Sequence, residues 1–232
     1  MSDAPTAPKP DRPKSERRPP RRRQEDRSEA TRQRLIDATL SCLATEGYAG
    51  TTVSKIVERG AVSRGSHVYH FPSKAALIEA AARQQVKRFY IQLGKSFANL
   101  DESEDRLRAM ARSGWRTVFQ APEHAVMLEL LVASLHDEEL AVVMRRLWAS
   151  GYTLVKGAAE HYFEPIDPSV SVSSFITLLQ WVLRGMALDR HLLRDDALLE
   201  QHLELWCDLL STRIRARPGV TGGPPRPQGV FS

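Results

Sequence analysis

Between Ser28 and Ala44, apolar side chains recur every three or four positions, at Leu35, Ile36, Leu40, Leu43 and Ala44. That is the period of one buried helix face. Ser28 is a good N-cap, Glu29 suits the first turn, and Gly47 stops the run. Thr51 is placed to cap a second, short helix striped by Val53, Ile56 and Val57, with Gly60 where a left-handed C-terminal cap would sit. Ser63 caps a third helix, which ends at Phe71 because Pro72 disfavours a helical residue before it. Ser73 caps a fourth, carried by Ile78, Ala82, Val86, Phe89, Leu93 and Phe97. Beyond the polar stretch NLDESED, helices are expected over about 103–119, 122–135, 137–163, 170–194 and 196–215. No alternating pattern long enough for a strand, and no internal repeat, is visible.

The last two helices are apolar on more than one side. One carries Val172, Phe175, Ile176, Leu179, Val182, Leu183 and Met186 on one face, with Trp181 and Leu188 off it. The final helix has one stripe of Leu199, Leu203, Trp206, Leu210 and Ile214 and another of Leu198, Leu205 and Leu209. Two stripes need two partners, one in the subunit's own core and one outside. Two such helices from each of two subunits would form a four-helix dimer interface.

The second and third helices, joined by a turn of about three residues, form a helix-turn-helix whose second helix projects its N-terminal side chains into a DNA major groove. Val62 and Val68 are read as facing inward, which leaves Arg64, Ser66, His67, Tyr69 and His70 for DNA, with Gly65 beside the capping Ser63 letting the backbone come close. Arg64 can donate two hydrogen bonds to a guanine edge, Ser66 and His67 can donate or accept, and Tyr69 and His70 can reach phosphate or a thymine methyl. Thr51 and Thr52 at one helix start, and Ser73 and Lys74 at another, can hold phosphates through hydroxyls, backbone N–H groups and charge. The plainer readings are that Tyr69 packs over the turn and that His70, beside Phe71, is a core histidine. His67 and His70 are spaced for a metal, but no third ligand stands near them, so no metal is expected.

Charge locates this chemistry at the ends of the chain. The 232 residues carry a formal net charge of +5. Residues 1–27 hold nine Lys/Arg and five Asp/Glu; residues 80–211 hold fourteen basic and eighteen acidic groups; from 212 onward there are four arginines and no acid. The middle is therefore not a nucleic-acid surface. The first 27 residues, rich in Pro and Arg and poor in core formers, read as a disordered arm, either a solubilising tail or a phosphate-seeking one. The ending RPGVTGGPPRPQGVFS reads as a second disordered tail. Apolar runs fall well short of the ~20 residues of a bilayer span and the N-terminus is not a signal sequence, so the expected location is the cytoplasm, without a membrane. Cys42 and Cys207 sit at apolar helical positions and read as two buried free thiols.

The stretch GYAGTTVSKIVERGAVSRGSHVYHFPSKAALI, preceded by ATRQRLIDATLSCLATEG, resembles the DNA-binding domain of the tetracycline-repressor (TetR) family of bacterial regulators. The resemblance rests on Gly47-Tyr48, Thr51-Thr52, Ile56, Val62-Ser63-Arg64-Gly65, His70-Phe71 and Lys74, and covers about a quarter of the chain. It implies an all-α protein: an N-terminal three-helix helix-turn-helix domain, a fourth helix leading to a variable C-terminal ligand-binding and dimerisation domain, and a two-fold dimer on a palindromic operator. It implies groove contacts from Arg64, Ser66, His67, Tyr69 and His70, and phosphate contacts from Thr52 and Lys74. Two departures stand out. The family usually has Ala-Gly where this chain has Gly60-Ala61, which bears on the residue that turns left-handed. The aromatic often found two residues before the histidine of the His-Phe pair is Val68 here, followed by Tyr69.

A ligand cavity follows from the resemblance, and the large or adaptable side chains on the middle helices suit its walls: Trp115, Phe119, Met127, Leu130, Trp148, Tyr152, Phe175 and Leu179. Plain core is the alternative for most of them. Glu129 and Gln180 are polar intrusions that can orient a ligand, or be hydrogen-bonded core groups, or face solvent. The expected domains are a basic arm over 1–27, the DNA-binding domain over 28–79, the ligand-binding and dimerisation domain over 80–216 and a tail over 217–232. The function expected is a homodimeric, ligand-released repressor of a palindromic operator, with an apolar small-molecule effector and no cofactor. An all-helical enzyme is the weaker class, since Glu160-His161 and His202-Glu204 form no di-iron pattern and neither a phosphate loop nor a nucleophile motif is present. A ligand-independent nucleoid-type binder is the other alternative.

Overall fold

Hydroxyl and carboxylate side chains mark the helix starts, because each satisfies a backbone N–H that the first turn leaves unpaired. In the computed structural model, which describes residues 21–98, 105–220 and 222–224, the order is α1 Arg21–Gly50, α2 Val53–Arg59, α3 Arg64–His70, α4 Lys74–Ala98, α5 Arg106–Gly114, a π-helical turn Trp115–Phe119, α6 Glu123–Ala133, α7 Glu138–Tyr162, β1 Phe163–Pro165, α8 Val172–Leu193, α9 Asp196–Ser211 and β2 Ile214–Ala216. Thr52, Ser63, Ser73, Asp105, Asp137, Ser171 and Asp195 each accept a backbone N–H three residues on. No helix among the described residues is long and apolar enough to cross a membrane. Cys42 and Cys207 are free and buried, and burial pushes the Cys207 thiol up to about 12.

Three expectations change. Helix α1 begins at Arg21, so Ser28 lies inside it and residues 21–27 are helical rather than part of an arm; Arg, Gln and Glu are strong helix formers and need no apolar period to continue a helix. Residues 1–20 of the expected arm lie outside the described residues, as do 99–104 of the NLDESED loop. Among the described residues two strands occur, β1 and β2, paired antiparallel with Phe163 opposite Ala216 and Pro165 opposite Ile214; three residues apiece are too few for alternation to register. Finally, the chain after α9 folds back. The Arg217 N–H donates to the Tyr162 carbonyl at 2.9 Å, the buried Arg106 donates to the Val220 carbonyl at 2.9 Å, and His161 Nε2 bonds the Gly222 carbonyl at 2.9 Å. The described part of the expected tail thus lies on the domain, and residues 225–232 lie outside the description.

Two packing regions share α4. Leu35, Leu43, Ile56, Val62, Phe71 and Leu77 close the core of α1 to α4. Further along α4, Val86, Phe89 and Leu93 join Trp115, Met127, Leu130, Ile176 and Leu203 in the core of the C-terminal helices. Helix α1 packs on α6 as well as on α4, and α7 packs on both α4 and α8. On α9 the stripe of Leu199, Leu203 and Leu210 enters the subunit's own core together with Cys207, and Ile214, which lies in β2 beyond the end of α9, enters it too. The other stripe is left outside: Leu205 and Leu209 are 58% and 54% exposed, and Trp181, Leu188 and Leu192 on α8 are exposed too.

Candidate nucleic-acid interface and its junction with the C-terminal domain

Helix α3 is set by the turn that precedes it. Gly60 keeps a right-handed conformation and is buried against α1, where a Cβ would lie 3.2 Å from the Ile56 carbonyl oxygen and 3.4 Å from the Ala38 Cβ. The left-handed residue is Ala61, at φ 48°, so the glycine serves close packing and the alanine carries the strained turn. Val62 follows into the core, its N–H bonded to the Val57 carbonyl at 3.1 Å.

From Ser63, whose hydroxyl accepts the Ser66 N–H at 3.1 Å, the residues four and eight positions on face the core. They are His67, 6% exposed, and Phe71. The expected roles of His67 and Val68 are therefore exchanged: His67 belongs to the packed side, and Val68, 63% exposed, belongs to the outer one. The outer face carries Arg64, Gly65, Val68 and Tyr69, with Ser66 and His70 at its edges. Tyr69 is 80% exposed and meets the His70 ring edge-on at 5.0 Å, so it does not pack over the turn. A Cβ at Gly65 would meet nothing within 4 Å, which leaves the backbone open to a groove. The start of α1 borders this face: Gln24, Arg27, Ser28 and Thr31 line an open cleft of about 780 Å³ with Ser66, Tyr69 and His70. No apolar period reveals that border.

Basic side chains nearby differ in availability. Lys55 and Arg59 are both bound to Glu46, at 2.8 and 3.3 Å, and their hydrogen bond and charge hold the Glu46 carboxyl below its usual range. Arg64 forms no ion pair among the described residues and stands at the N-terminal end of the face. Thr52 is exposed at the start of α2, but Thr51 is not available to phosphate: it is fully buried, its hydroxyl donating to the Gly47 carbonyl at 2.7 Å. Lys74 is likewise turned inward, donating to the Tyr48 carbonyl at 3.4 Å with its ammonium 5.0 Å from the centre of the Tyr48 ring.

Tyr48 is the junction between the two regions. Its backbone N–H donates to Glu129 of α6, and its hydroxyl donates to Asp137, the N-cap of α7. Gly47 makes this possible by turning left-handed at φ 68° directly under the Glu129 carboxylate. Glu129 is thus an interdomain contact, a role that residues 81 apart in sequence cannot announce.

Of the other expected ligand residues, Trp115, Phe119, Met127, Leu130 and Leu179 are close-packed core. Trp148 and Tyr152 line a groove of about 1120 Å³ between α7 and α8, with Met144, Thr177, Trp181 and Arg184. Phe175 is half-buried and packs against the core beside it. Gln180 is buried, one helical turn before Arg184.

Residues 35–81 match the family model described as bacterial regulatory proteins, tetR family. The chain is 27% identical over 179 residues to the HTH-type transcriptional regulator CymR of Pseudomonas putida, covering 77% of this chain and 76% of that one. Its fold matches a TetR-family transcriptional regulator structure from Mesorhizobium loti with TM-score 0.64 and 16% identity, covering 81% and 98% of the two chains. It also matches the multidrug binding protein EbrR, solved with imidazole, with TM-score 0.54 and 24% identity, covering 75% and 93%.

Proposed function

This chain belongs to the TetR family of DNA-binding transcriptional regulators, and on that premise we propose that it is a cytoplasmic, homodimeric repressor that leaves a palindromic operator when a small molecule occupies its C-terminal domain. Arg64, Ser66, Tyr69 and His70 then read base edges, Val68 meets thymine methyls, and Thr52 with the open N–H groups at helix starts holds phosphate. The stripe of Leu198, Leu205 and Leu209, with Leu188, is the dimer face. Two recognition helices are thereby held at the spacing of successive major grooves.

The observation that carries the effector-released mechanism is the Tyr48 junction. Through Glu129 and Asp137, the end of α1 is tied to α6 and to the first turn of α7, and α7 also supplies the Trp148 and Tyr152 wall of the groove. A ligand that shifts α7 relative to α4 acts on the helix-turn-helix through these bonds and favours a spacing that no longer fits the operator.

The test is selection of duplexes from a random pool with the full-length protein, followed by footprinting at several salt concentrations. The reading expects an enriched inverted repeat with half-sites about one helical turn apart. Sequence-indifferent binding that vanishes with salt would replace the regulator by a nucleoid-type binder.

A further inference from the structure

Most arginines of the C-terminal domain are paired; of the described ones that are not, Arg146 and Arg213 are exposed to solvent, and Arg184 is the one withdrawn from it. Arg108 and Arg112 bind Glu204, Arg116 binds Glu200, Arg145 binds Glu138, Arg190 binds Asp196, and the buried Arg106 donates to two main-chain carbonyls. Arg184 has neither kind of partner among the described residues. Its Nε is buried without a hydrogen bond, and its guanidinium lies 4.7 Å from the centre of the Trp148 ring at the inner side of the groove between α7 and α8.

Among the described residues, nothing close by neutralises it. Burial keeps the Tyr90 phenol protonated, its pKa pushed up to about 12. His124 is held down to about 4 by burial first and by the Arg184 charge second, so it is neutral and both its ring nitrogens lack partners. Gln180, one turn before Arg184, is buried with an unpaired amide nitrogen. Among the described residues no Asp or Glu lines the groove, and Arg145 is its one other charged side chain. Its walls are otherwise Leu131, Met144, Trp148, Tyr152, Leu178 and Trp181 with a few hydroxyls.

We propose that this groove is a site for a small organic anion, a carboxylate on an apolar, ring-sized body, in which the carboxylate takes both arms of the Arg184 guanidinium and the body lies against Trp148, Met144 and Tyr152. A partly desolvated guanidinium with a buried, unpaired Nε and no counter-ion is costly, and a bidentate carboxylate supplies the charge and the two acceptors that it lacks. The apolar walls favour a monoanion with a hydrophobic body over a phosphate, whose further oxygens would find too few donors. The proposal names the effector class for the regulator reading above and rests on that reading.

The test uses the full-length protein without DNA and a matched pair of probes, naphthoate and its uncharged amide, naphthamide, followed by calorimetry and tryptophan fluorescence. Naphthoate should bind saturably, and at least about tenfold more tightly than naphthamide. Arg184→Gln should weaken naphthoate by roughly ten- to a hundredfold, as expected for a lost charged hydrogen bond. The same variant should melt no lower than the parent, because it removes an uncompensated charge; a merely structural arginine would lower the melting temperature instead. Arg184→Lys should keep part of the preference for the acid. Equal binding of acid and amide, undiminished naphthoate binding by Arg184→Gln, or no saturable binding of naphthoate would each overturn the anion site. The acid–amide contrast on the parent decides the matter even if a variant fails to fold. Naphthoate that binds through Arg184 but leaves operator affinity unchanged keeps the site and removes the effector reading. Release of operator by uncharged compounds alone does the reverse.

Discussion

The Glu129 carboxylate on α6 accepts the backbone N–H of Tyr48, the residue that follows the left-handed break at Gly47. One side chain of the C-terminal domain thereby fixes the end of the helix on which the DNA-binding unit is built. Glu129→Ala should cost about 1.5 to 3 kcal/mol, the range for a hydrogen bond to a charged acceptor. Gly47→Ala should cost about as much, because a Cβ would force a side chain into the left-handed region and lie 3.0 Å from the same carboxylate oxygen. Thermal unfolding measures both. Unchanged melting in both variants would remove the junction from the account.

Asp137 completes that junction, and its pH dependence has a definite sign. The Leu140 N–H first, and the Tyr48 hydroxyl second, hold its carboxyl below the usual range. A folded-state pKa lowered in this way contributes stability that is present above the unfolded value and is lost as pH falls through the folded one. The stability difference between the parent and Asp137→Ala should therefore be full at neutral pH and shrink below about pH 4. A difference that grows in acid would contradict the assignment.

On α3, neighbouring positions should fail in different ways. His67→Ala removes a packed side chain and should lower the melting temperature by an amount worth about 1 to 3 kcal/mol. Tyr69→Ala should leave stability within about 0.5 kcal/mol, since the side chain is 80% exposed, and should weaken operator binding. Arg64→Ala should cost about 1 to 3 kcal/mol of binding and relax the preference at one base pair. The contrast is read by pairing melting curves with operator titrations. Equal operator affinity in Arg64→Ala and the parent would sink that assignment.

The turn offers a gain. Ala61 at φ 48° is strained, so Ala61→Gly should stabilise the protein by up to about 1 kcal/mol once the larger entropy of glycine in the unfolded chain is offset. Gly60→Ala should destabilise, because its Cβ would press on the Ile56 carbonyl and Ala38. Denaturant midpoints of the two variants should move in opposite directions.

The two stripes of α9 can be separated in one experiment. Leu205→Glu with Leu209→Glu places carboxylates on the exposed stripe and should yield a helical monomer that grips one half-site and loses the avidity of the pair. Leu203→Glu buries a charge at a position 1% exposed and should unfold the chain. Sedimentation and circular dichroism distinguish the outcomes. A stable dimer in the first variant would move the interface elsewhere.

The local rules of the chain determined the helices, and for a physical reason: capping oxygens, the helical period and the stops at Gly47 and Pro72 act over a few residues, so Ser63, Ser73, Asp137 and Asp195 mark true helix starts. The helix-turn-helix and its exposed Arg64 and Tyr69 were legible in the same way. Only tertiary packing decided what each face meets. The exchange of His67 and Val68 depends on how α3 lies against its own core, which follows from the left-handed turn at Ala61 rather than from residue type. The choice between the two stripes of α9 depends on α5 and α8, since both stripes are equally apolar in sequence. The bond from Tyr48 to Glu129 and the meeting of Arg184 with Trp148 join residues far apart in the chain, and no local pattern encodes such pairs. They exist because α4 places the C-terminal helices against the end of α1 and brings α7 beside α8.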